Sequence, residues 1–504
     1  MTEKIISFID LSSIAEVSSL HKEIVKAPDG YLCLGDPAVL ANLNKELIIQ
    51  RMHRIDILHC GLCYHQGEPL ANLQLVSFNW NFLNPRASLV STSWKVSLEF
   101  IVFDKALYNA MMGIDVKYKS LLGALLEFSY RVLREGGVPC HDPSFYEPGC
   151  SKPVSRLPSS DESRFVLHHF GRRIFFYYRL CVWLLERKWL PIEKKSYLGN
   201  STGRSRVDYP FKLINQFKKA GIDKYTAIIP TINRYDYVSN AIDSLLQNPF
   251  PPSEIIVVDQ SPKENRIPGY YDVYEKSSSF KVIFLETAGQ SLARNEGINN
   301  ASYDWLYLFD DDSLCWSNTI LEHWHAIESS GSMVSTGASV APEKSIDEMP
   351  GNTRPIFISD VLDTGNCFIH RSVVQEVGML DAAFNHGSGA DDDLGKRIYL
   401  HGHKIVFNPK AIRTHFKAAT GGLREYGAWW RFKATVLGAF PPATQYYAIN
   451  KFYRRNLRPF LILSLILKAK RNYSWPSYLL LLVLLPYKIL RSRRGVKRLN
   501  LERA

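Results

Sequence analysis

The chain has 504 residues, of which 46% are hydrophobic and 22% charged, so it is an ordinary globular protein long enough for two or three domains. Its net charge is +12, and the stretch from Lys451 to Ala504 carries 14 Lys and Arg against the single acid Glu502, which leaves −1 for the first 450 residues. A neutral body argues against nucleic-acid binding, and the basic tail predicts contact with an anionic surface. The eight scattered cysteines and the start MTEKIISFID, which has no basic region followed by an apolar core, predict a reducing, cytoplasmic compartment.

Residues 1–150 show a weak internal repeat with a later part of the chain. A shift of 266 positions aligns Val102–Pro143 with Phe368–Pro409 without a gap. The identities are Asp115 with Asp381, Gly123 with Gly389, Ala124 with Ala390, Arg131 with Arg397, Gly136 with Gly402 and Pro143 with Pro409. A looser match places Tyr31–Leu40 on Trp305–Leu314. We therefore predict that residues 1–150 are a degenerate α/β half-domain with a structural or acceptor-binding role, although chance similarity of two α/β segments is the alternative.

Residues 151–222 are predicted to form a helical linker region. Pro153–Ser163 and Lys194–Pro210 have the composition of exposed linkers. Between them, Arg164–Leu190 has the length of a helix and interleaves aromatic residues with arginines. Such a helix can lie on a membrane surface, but we favour packing between domains with the arginines extended towards solvent.

From Tyr225 the pattern becomes that of an α/β domain. Strand-like runs, YTAIIPTINR, EIIVVDQS, KVIFLET and WLYLF, alternate with helical segments around Val238–Leu246 and SLARNEGINNA. This order predicts a mainly parallel sheet that is buried on both faces and binds its ligand at the carboxyl ends of the strands.

The strand Trp305–Phe309 stops abruptly at three carboxylates, Asp310, Asp311 and Asp312. Adjacent carboxylates repel one another, so a fold tolerates them most easily in solvent or around a cation, and oxygen ligands suit Mg²⁺ or Mn²⁺. A lone acidic triplet is usually a solvated turn, but its place at the end of a buried strand favours a metal site.

The motifs IIPTINR, EIIVVDQSP, GQSLARNEGI, WLYLFDDD and GADDDLGKRIYLHGHKI, followed by Arg413-Thr414-His415, occur in this order. In this respect residues 225–425 resemble a family 2 glycosyltransferase. The resemblance implies a GT-A fold (Rossmann-like, with a mainly parallel mixed sheet) over residues 223–425, a nucleotide-diphosphate sugar donor, and Mn²⁺ or Mg²⁺ as cofactor. It implies that the donor is bound by Pro230, Thr231, Asn233, Arg234, Asp259, Gln290, Arg294, Asp310 and Asp311.

The same resemblance implies metal ligands and a catalytic base. The ligands are Asp310, Asp312 and His415, of which Asp312 is the expected direct ligand. The base is Asp391, from a motif in which an acidic Glu-Asp pair is usual and which reads Ala390-Asp391-Asp392-Asp393 here. Asp392 and Asp393 stay open as the base, and the missing Glu bears mainly on acceptor binding. The alternatives are helix capping by the three carboxylates, a core role for His415, and simple ion pairs for Arg234 and Arg294.

Residues 426–504 are predicted to form basic amphipathic helices. The apolar stretches Phe460–Leu467 and Tyr478–Leu485 are shorter than the roughly 20 residues of a spanning helix, and aromatic and basic residues flank them. This is the composition of interfacial helices on an anionic leaflet, so we predict peripheral association with the inner face of the cell membrane. The alternative is a basic helical hairpin packed on the catalytic domain.

Together these features predict an inverting, metal-dependent glycosyltransferase that moves a sugar to a hydroxyl of a glycan or lipid-linked acceptor in bacterial surface polysaccharide synthesis. The alternative is a non-catalytic sugar-nucleotide-binding or scaffold protein, which is favoured if Ala390 disables the site. A nucleotidyltransferase is disfavoured because IIPTINRYD contains no glycine.

Overall fold

The protein is described by a computed structural model over residues 5–64, 70–148, 157–192, 207, 209–212, 223–277, 279–343, 355–418, 438–471 and 473–501. Its contacts divide the chain into two compact units. Unit 1 comprises residues 1–217, 356–360 and 399–404, and unit 2 comprises residues 218–355, 361–398 and 405–504. The region 151–222, predicted as a linker, therefore lies almost entirely in unit 1, and the C-terminal tail lies in unit 2.

Unit 1 is a six-stranded sheet with helices. Its elements are β1 (Ile6–Asp10), α1 (Val17–Lys26), β2 (Tyr31–Gly35), α2 (Pro37–Ala41), α3 (Lys45–Met52), β3 (Ile57–His59), α4 (Gly61–Tyr64), β4 (Ser91–Thr92), β5 (Phe100–Asp104), α5 (Lys105–Ala110), α6 (Leu121–Glu135), β6 (Pro139–His141) and α7 (Ser159–Glu186). The long helix α7 contains a kink at Gly171, whose φ of 81° is outside the helical region.

From residue 223 the chain alternates strands and helices as predicted. The elements are β7 (Tyr225–Thr231), α8 (Tyr235–Leu246), β8 (Glu254–Asp259), α9 (Asp272–Glu275), β9 (Phe280–Phe284), α10 (Gln290–Asn300), β10 (Trp305–Phe309), β11 (Ser313–Cys315), α11 (Thr319–Ser330), β12 (Val334–Val340), β13 (Phe357–Ile358, in unit 1), β14 (Asn366–His370), α12 (Arg371–Val377), α13 (Ala390–Leu400) and β15 (Val406–His415). The tail adds α14 (Ala443–Phe452), α15 (Arg458–Ala469), α16 (Trp475–Val483) and α17 (Leu485–Leu501).

The sheet of unit 2 has the strand order β11-β15-β12-β14-β10-β7-β8-β9. Strands β10, β7, β8 and β9 are mutually parallel, and β14 runs antiparallel to β10 and to β12. The central strands are nearly continuous apolar runs because helices cover both faces. One close approach requires a glycine, since a Cβ at Gly297 of α10 would overlap the side chain of Ile228 in β7.

The two sheets share a pattern of order and direction. Along β1-β2-β5-β3-β6-β4 the successive pairs are parallel, antiparallel, antiparallel, parallel and antiparallel. The same succession recurs along β7-β10-β14-β12-β15-β11. This agreement follows the 266-residue shift at β5 and β14 and at β6 and β15, and the partial copy stays a prediction.

Side-chain contacts of two aligned arginines also agree. Arg131 donates to Glu127, one turn before it, and to the carbonyls of Met111 and Gly113. Arg397 donates to Asp393, one turn before it, and to the carbonyls of residues 377, 378 and 379. The 266-residue shift aligns positions 377 and 379 with residues 111 and 113. Each arginine therefore donates hydrogen bonds to the equivalent loop in its own unit.

The predicted fold class is confirmed as a mixed α/β chain that ends in helices. Among the described residues, no helix combines the length and the apolar character needed to cross a membrane.

Candidate functional site

The candidate site lies at one edge of the unit 2 sheet. Strands β7 and β10 are parallel, so Thr231 and the acidic triplet emerge at the same edge. Strand β14 is antiparallel to β10, so its amino end, preceded by Asp363, Thr364 and Gly365, lies at that edge too. These segments, with the amino end of α13 and the end of β15, line a cavity of about 460 Å³. A cavity of this size is typical of small-molecule sites.

Asp310 is held by two arginines. Arg294 Nη2 donates to its Oδ1 at 2.6 Å, and Arg413 Nη1 donates to its Oδ2 at 2.7 Å. Burial opposes ionisation of this carboxyl, but the charges of Arg413 and Arg294 outweigh burial and keep its pKa below the usual range. Asp310 is therefore an ionised acceptor at neutral pH.

Asp311 lines the cavity and also contacts the first strand of the unit. Its Oδ2 accepts a hydrogen bond from Thr231 Oγ1 at 2.8 Å, and its Oδ1 accepts one from Arg234 Nη1 at 2.9 Å. Burial raises the pKa of Asp311 to about 6, although Arg234 opposes this shift. The middle carboxylate thus ties β7 and Arg234 to the acidic turn.

Asp312 and His415 contact each other and also line the cavity. His415 Nε2 lies 3.3 Å from Asp312 Oδ1, and the backbone N–H of Ala418 donates to Asp312 Oδ2 at 2.9 Å. Despite burial, the neighbouring His415 and this backbone bond lower the pKa of Asp312. The carboxylate is therefore charged and fixed in place.

The donor set fits a divalent cation. Asp310, Asp312 and His415 can each offer one ligand atom, and these atoms all lie within 4.8 Å of one another. Two carboxylate oxygens and one imidazole nitrogen are ligands that Mn²⁺ accepts, and Mg²⁺ is satisfied by the oxygens with water. The three residues predicted as metal ligands are therefore brought together.

Gly365 makes room for this arrangement. A Cβ at position 365 would overlap Asp310 Oδ2 and Arg413 Nη1, which form one of the ion pairs of the site. Only a glycine lets the backbone before β14 pass so close to Asp310.

Asp391 lies in the first turn of α13, on the wall of the same cavity. Thr364 Oγ1 donates a hydrogen bond to Asp391 Oδ1. Burial raises the pKa of the Asp391 carboxyl above its usual range, and the positive charge of Arg294 opposes this shift. The neighbouring candidates are engaged elsewhere, since Asp392 pairs with Lys396 and the fully buried Asp393 pairs with Arg397 and Lys451. Of the three carboxylates, Asp391 is the one that lines the cavity.

Helix α10 positions the loop that precedes Asp391. Gln290 Nε2 donates to the carbonyls of Phe384 and Gly387, and Asn385 Oδ1 accepts from the backbone N–H of Leu292 at 3.0 Å. Gln290, predicted to contact the donor, lines the cavity but uses its amide to hold this loop.

Most of the predicted site residues share the cavity wall, and two do not. Those on the wall are Pro230, Thr231, Arg234, Gln290, Arg294, Asp310, Asp311, Asp312, Asp391 and His415. Asp259 is fully buried and accepts from the hydroxyls of Tyr235 and Tyr271 at 3.0 and 3.1 Å. Asn233 has a left-handed φ of 52°, and its N–H donates to Ser261 Oγ at 2.9 Å. Neither residue is on the wall of this cavity, since Asp259 is buried beneath the tyrosines and Asn233 is exposed.

Sequence reasoning missed three contributors. Asp363 accepts from Arg413 Nη2 with both oxygens, at 3.0 and 3.1 Å, and so fixes the arginine that holds Asp310. Thr364 orients Asp391. Lys417, with a φ of 52°, adds a cation to the wall. Arg413 stands in a motif already recognised, and the polar triplet before β14 would have been found by assigning that strand an antiparallel direction.

Ala390, which replaces the usual Glu, has a structural explanation. Its side chain is buried in an apolar cluster with Ala383, Phe384 and Tyr447. A carboxylate there would lose its hydration, so the local packing favours alanine.

Comparison with known proteins gives similarities over part of the chain. Residues 226–388, about a third of the chain, match the model of the family described as Glycosyl transferase family 2. A stretch of 94 residues is 29% identical to the poly-beta-1,6-N-acetyl-D-glucosamine synthase of Staphylococcus epidermidis, covering 18% of this chain and 23% of that protein. Another of 90 residues is 31% identical to the glycosyltransferase GlyA of Streptococcus pneumoniae, covering 18% and 13%. The chain thus matches less than a quarter of the length of these relatives.

Two solved structures also align with parts of the chain at low similarity. The mannosyltransferase PcManGT from Pyrobaculum calidifontis, in complex with GDP-Man and Mn²⁺, aligns over 67% of this chain and 96% of its own, at 16% identity and a TM-score of 0.35. Staphylococcus aureus TarS aligns over 38% and 37%, at 18% identity and a TM-score of 0.33.

Proposed function

We propose that the chain is an inverting, metal-dependent glycosyltransferase that moves a sugar from a nucleotide-sugar to a hydroxyl group of a glycan or lipid-linked acceptor. The observation that carries this proposal is that the group Asp310, Asp312 and His415 and the separate carboxylate Asp391 line one cavity of a family 2 domain. A nucleotide-binding scaffold would need the first group but not an additional carboxylate of raised pKa.

The donor is held by the cationic side of the cavity. Arg234, Arg294 and Lys417 line it close to the acidic turn and offer hydrogen bonds to the oxygens of a diphosphate. Asp310, Asp312 and His415 would hold Mn²⁺ or Mg²⁺, which offsets the negative charge that the leaving nucleoside diphosphate gains.

Asp391 acts on the acceptor. A sugar hydroxyl is a weak nucleophile, so a carboxylate within hydrogen-bond reach removes its proton as it attacks the anomeric carbon. Thr364 keeps one oxygen of Asp391 oriented, and the second oxygen is left to take the proton. A single displacement with one base inverts the anomeric configuration, and it requires no covalent nucleophile.

The acceptor and the location are proposed from the relatives and from the tail. The matched synthase makes a polysaccharide in a bacterium, as its name states. The tail helices expose apolar side chains, among them Trp475, Leu479 and Val483, beside the basic helix α17. This combination suits the inner surface of a bacterial cell membrane, where a lipid-linked glycan would be within reach.

The test is Mn²⁺-dependent turnover of UDP-, GDP- and dTDP-sugars without acceptor by the wild type, Asp312→Ala and Asp391→Asn. Asp392→Asn is a matched control because that carboxylate is exposed and lies on the same helical turn. We expect turnover of one donor that both Asp312→Ala and Asp391→Asn abolish and that Asp392→Asn retains. Binding of a donor without any turnover would favour the scaffold alternative and would call for a lipid-linked acceptor, and absence of binding with metal would refute the site.

A further inference from the structure

The second half of α7 turns an apolar surface towards solvent. Phe176, Leu180, Trp183 and Leu184 are 51%, 47%, 37% and 41% exposed. Their spacing of three and four residues places them on one face of the helix. After the helix ends, Trp189 and Ile192 extend the surface with exposures of 59% and 61%. We call these six residues the aromatic face.

The opposite side of α7 already supplies the contact with the core of unit 1. Phe175, Tyr178, Cys181 and Val182 are buried. The helix therefore has two apolar sides, of which only one is needed for folding. Exposed large side chains that recur along one helical face mark a contact surface more often than scattered ones do.

Arginines surround the aromatic face. Arg172 and Arg173 are exposed before it, and Arg187 is exposed at its far end. The guanidinium of Arg179 lies 4.0 Å from the ring centre of Trp189, and that of Arg187 lies 5.3 Å from the ring centre of Trp183. Residues 171–192 contain five basic residues and one acid, Glu186, whose carboxylate accepts a hydrogen bond from Asn72. The surface is therefore apolar at its centre and positive at its rim.

We infer that the aromatic face docks unit 1 on an anionic lipid bilayer. Tryptophan rings and aliphatic side chains enter the boundary between headgroups and acyl chains, while arginines beside them reach lipid phosphates. A protein partner would need acidic groups to meet the rim, whereas an anionic leaflet supplies negative charge along the whole surface. This face belongs to unit 1, so it is separate from the tail helices, and the inference does not rest on the glycosyl transfer proposed above.

The experiment measures amide hydrogen exchange of the full chain with and without vesicles. Vesicles of phosphatidylcholine are compared with vesicles of phosphatidylcholine and phosphatidylglycerol. The face is altered by the double substitution Leu180→Glu and Trp183→Glu, and the matched control is Val25→Glu with Val116→Glu, two exposed apolar residues elsewhere in unit 1. A third variant, Val483→Glu, weakens the tail without touching the face.

We expect anionic vesicles to protect residues 176–192 at least about tenfold in the wild type, the control and the tail variant, and neutral vesicles to protect them much less. The face variant should lose this protection while keeping the wild-type circular dichroism spectrum, because its substituted side chains are exposed. Vesicle-bound wild type without protection of residues 176–192 would overturn the inference. The inference would also be overturned if light scattering showed a dimer without lipid in the wild type but a monomer in the face variant. In that case a second copy of the chain, and not a bilayer, would cover the aromatic face.

Discussion

Asp391, the proposed general base, accepts a hydrogen bond from Thr364, and its surroundings shift its pKa. Burial raises its pKa, so the group takes up a proton at a higher pH than an ordinary aspartate. A base works only when deprotonated, so we expect kcat/KM to fall on the acid side with an apparent pKa above the usual aspartate value of about 3.9. Asp391→Asn should lower transfer by about 10²–10⁴-fold. The pH profile of Asp392→Asn should keep the acid limb, and a limb at the ordinary value would contradict the assignment.

The raised pKa of Asp391 also makes the stability of the protein depend on pH. A carboxyl whose pKa is raised by folding stabilises the folded state below its unfolded pKa, and this contribution is lost as the pH rises through the folded pKa. Asp391→Asn should therefore raise the melting temperature at neutral pH, and the gain should vanish near pH 4 and below. Thermal melts at two pH values check this, and an equal change at both would show that the substitution acts through packing.

Replacement of Gly365 tests whether activity depends on the position of the Asp310–Arg413 ion pair. Alanine there would overlap Asp310 Oδ2 and Arg413 Nη1 and force that ion pair apart. Since a displacement of about 1 Å can cost about 100-fold in rate, we expect Gly365→Ala to lower kcat/KM about 100-fold and to weaken Mn²⁺ activation. Initial rates across a Mn²⁺ titration measure both effects. Gly378→Ala is a control for backbone strain, because its φ is 88° and a Cβ there would meet only Arg397 Nη1, at 3.6 Å, and equal losses in the two variants would refute the explanation.

At the residue scale, sequence reasoning found the groups that end parallel strands or belong to a recognised motif. Asp310 and Asp312 were placed at one edge because carboxyl ends of parallel strands meet there, and His415 was assigned through the family resemblance. Asp363 and Thr364 were not found because they precede β14, and only its antiparallel direction brings them to that edge. Asp259 was predicted to contact the donor because it ends a strand. The tyrosine hydroxyls that donate hydrogen bonds to it come from segments whose packing no local sequence pattern predicts.

Helix α14 links the tail to the helix that carries Asp391. Lys451 Nζ donates to Asp381 Oδ2 at 2.9 Å and to Asp393 Oδ1 at 2.6 Å, and Asp393 lies two residues after Asp391. Tyr447 adds a hydrogen bond to Asp381 at 2.9 Å. Lys451 thus connects the loop that contains Asp381 to helix α13, which carries Asp391.

Lys451→Met should therefore act on transfer rather than on donor binding. We expect kcat to fall about 100-fold while the Kd of the donor with Mn²⁺ stays within about twofold, because the donor contacts lie on other elements. Lys451→Arg should restore much of the rate, since a guanidinium also bridges two carboxylates. The exposed Lys410→Met serves as a control. Isothermal titration and steady-state kinetics make the comparison, and a parallel loss of donor affinity would indicate general unfolding.

At the element scale, periodicity was sufficient for the alternation from β7 to β10. Apolar runs separated by helical segments predicted the four strands and the helices α8 and α10, but not the short helix α9. Strand direction in the second half, from β12 to β15, could not be predicted from periodicity because long connections join its strands. The order of that half is set by tertiary pairing.

At the scale of the whole molecule, unit 1 takes in two segments from far along the chain, residues 356–360 and 399–404. Trp80 is 1% exposed, and its indole N–H donates to the carbonyl of Ser359 at 3.1 Å. Asn79 donates to Asp360 in the same contact. Linear boundaries such as 1–150 do not anticipate these returns, because nothing in residues 1–217 signals the missing partners.

A fragment of residues 1–217 should therefore be less stable than the same unit in the full chain. It leaves the buried Trp80 N–H without its acceptor, which costs about 1–3 kcal/mol, in addition to lost packing. We expect a lower urea midpoint and red-shifted tryptophan emission. Adding a synthetic peptide of residues 355–361 should shift both back in part, and a fragment as stable as the intact unit would contradict this account.

The late return of these segments also sets an order of events during protein synthesis. Domains generally fold as they leave the ribosome, at about 5–20 residues per second. Unit 1 has most of its residues by position 217 but acquires its last segment only at residue 404. That interval amounts to roughly 10–40 seconds of translation, and the partners of Trp80 and Asn79, which are Ser359 and Asp360, are synthesised only within it. We therefore expect chaperones to bind the nascent chain during that interval. Codon usage between positions 217 and 404, which sets the length of the interval, should then affect the yield of folded protein.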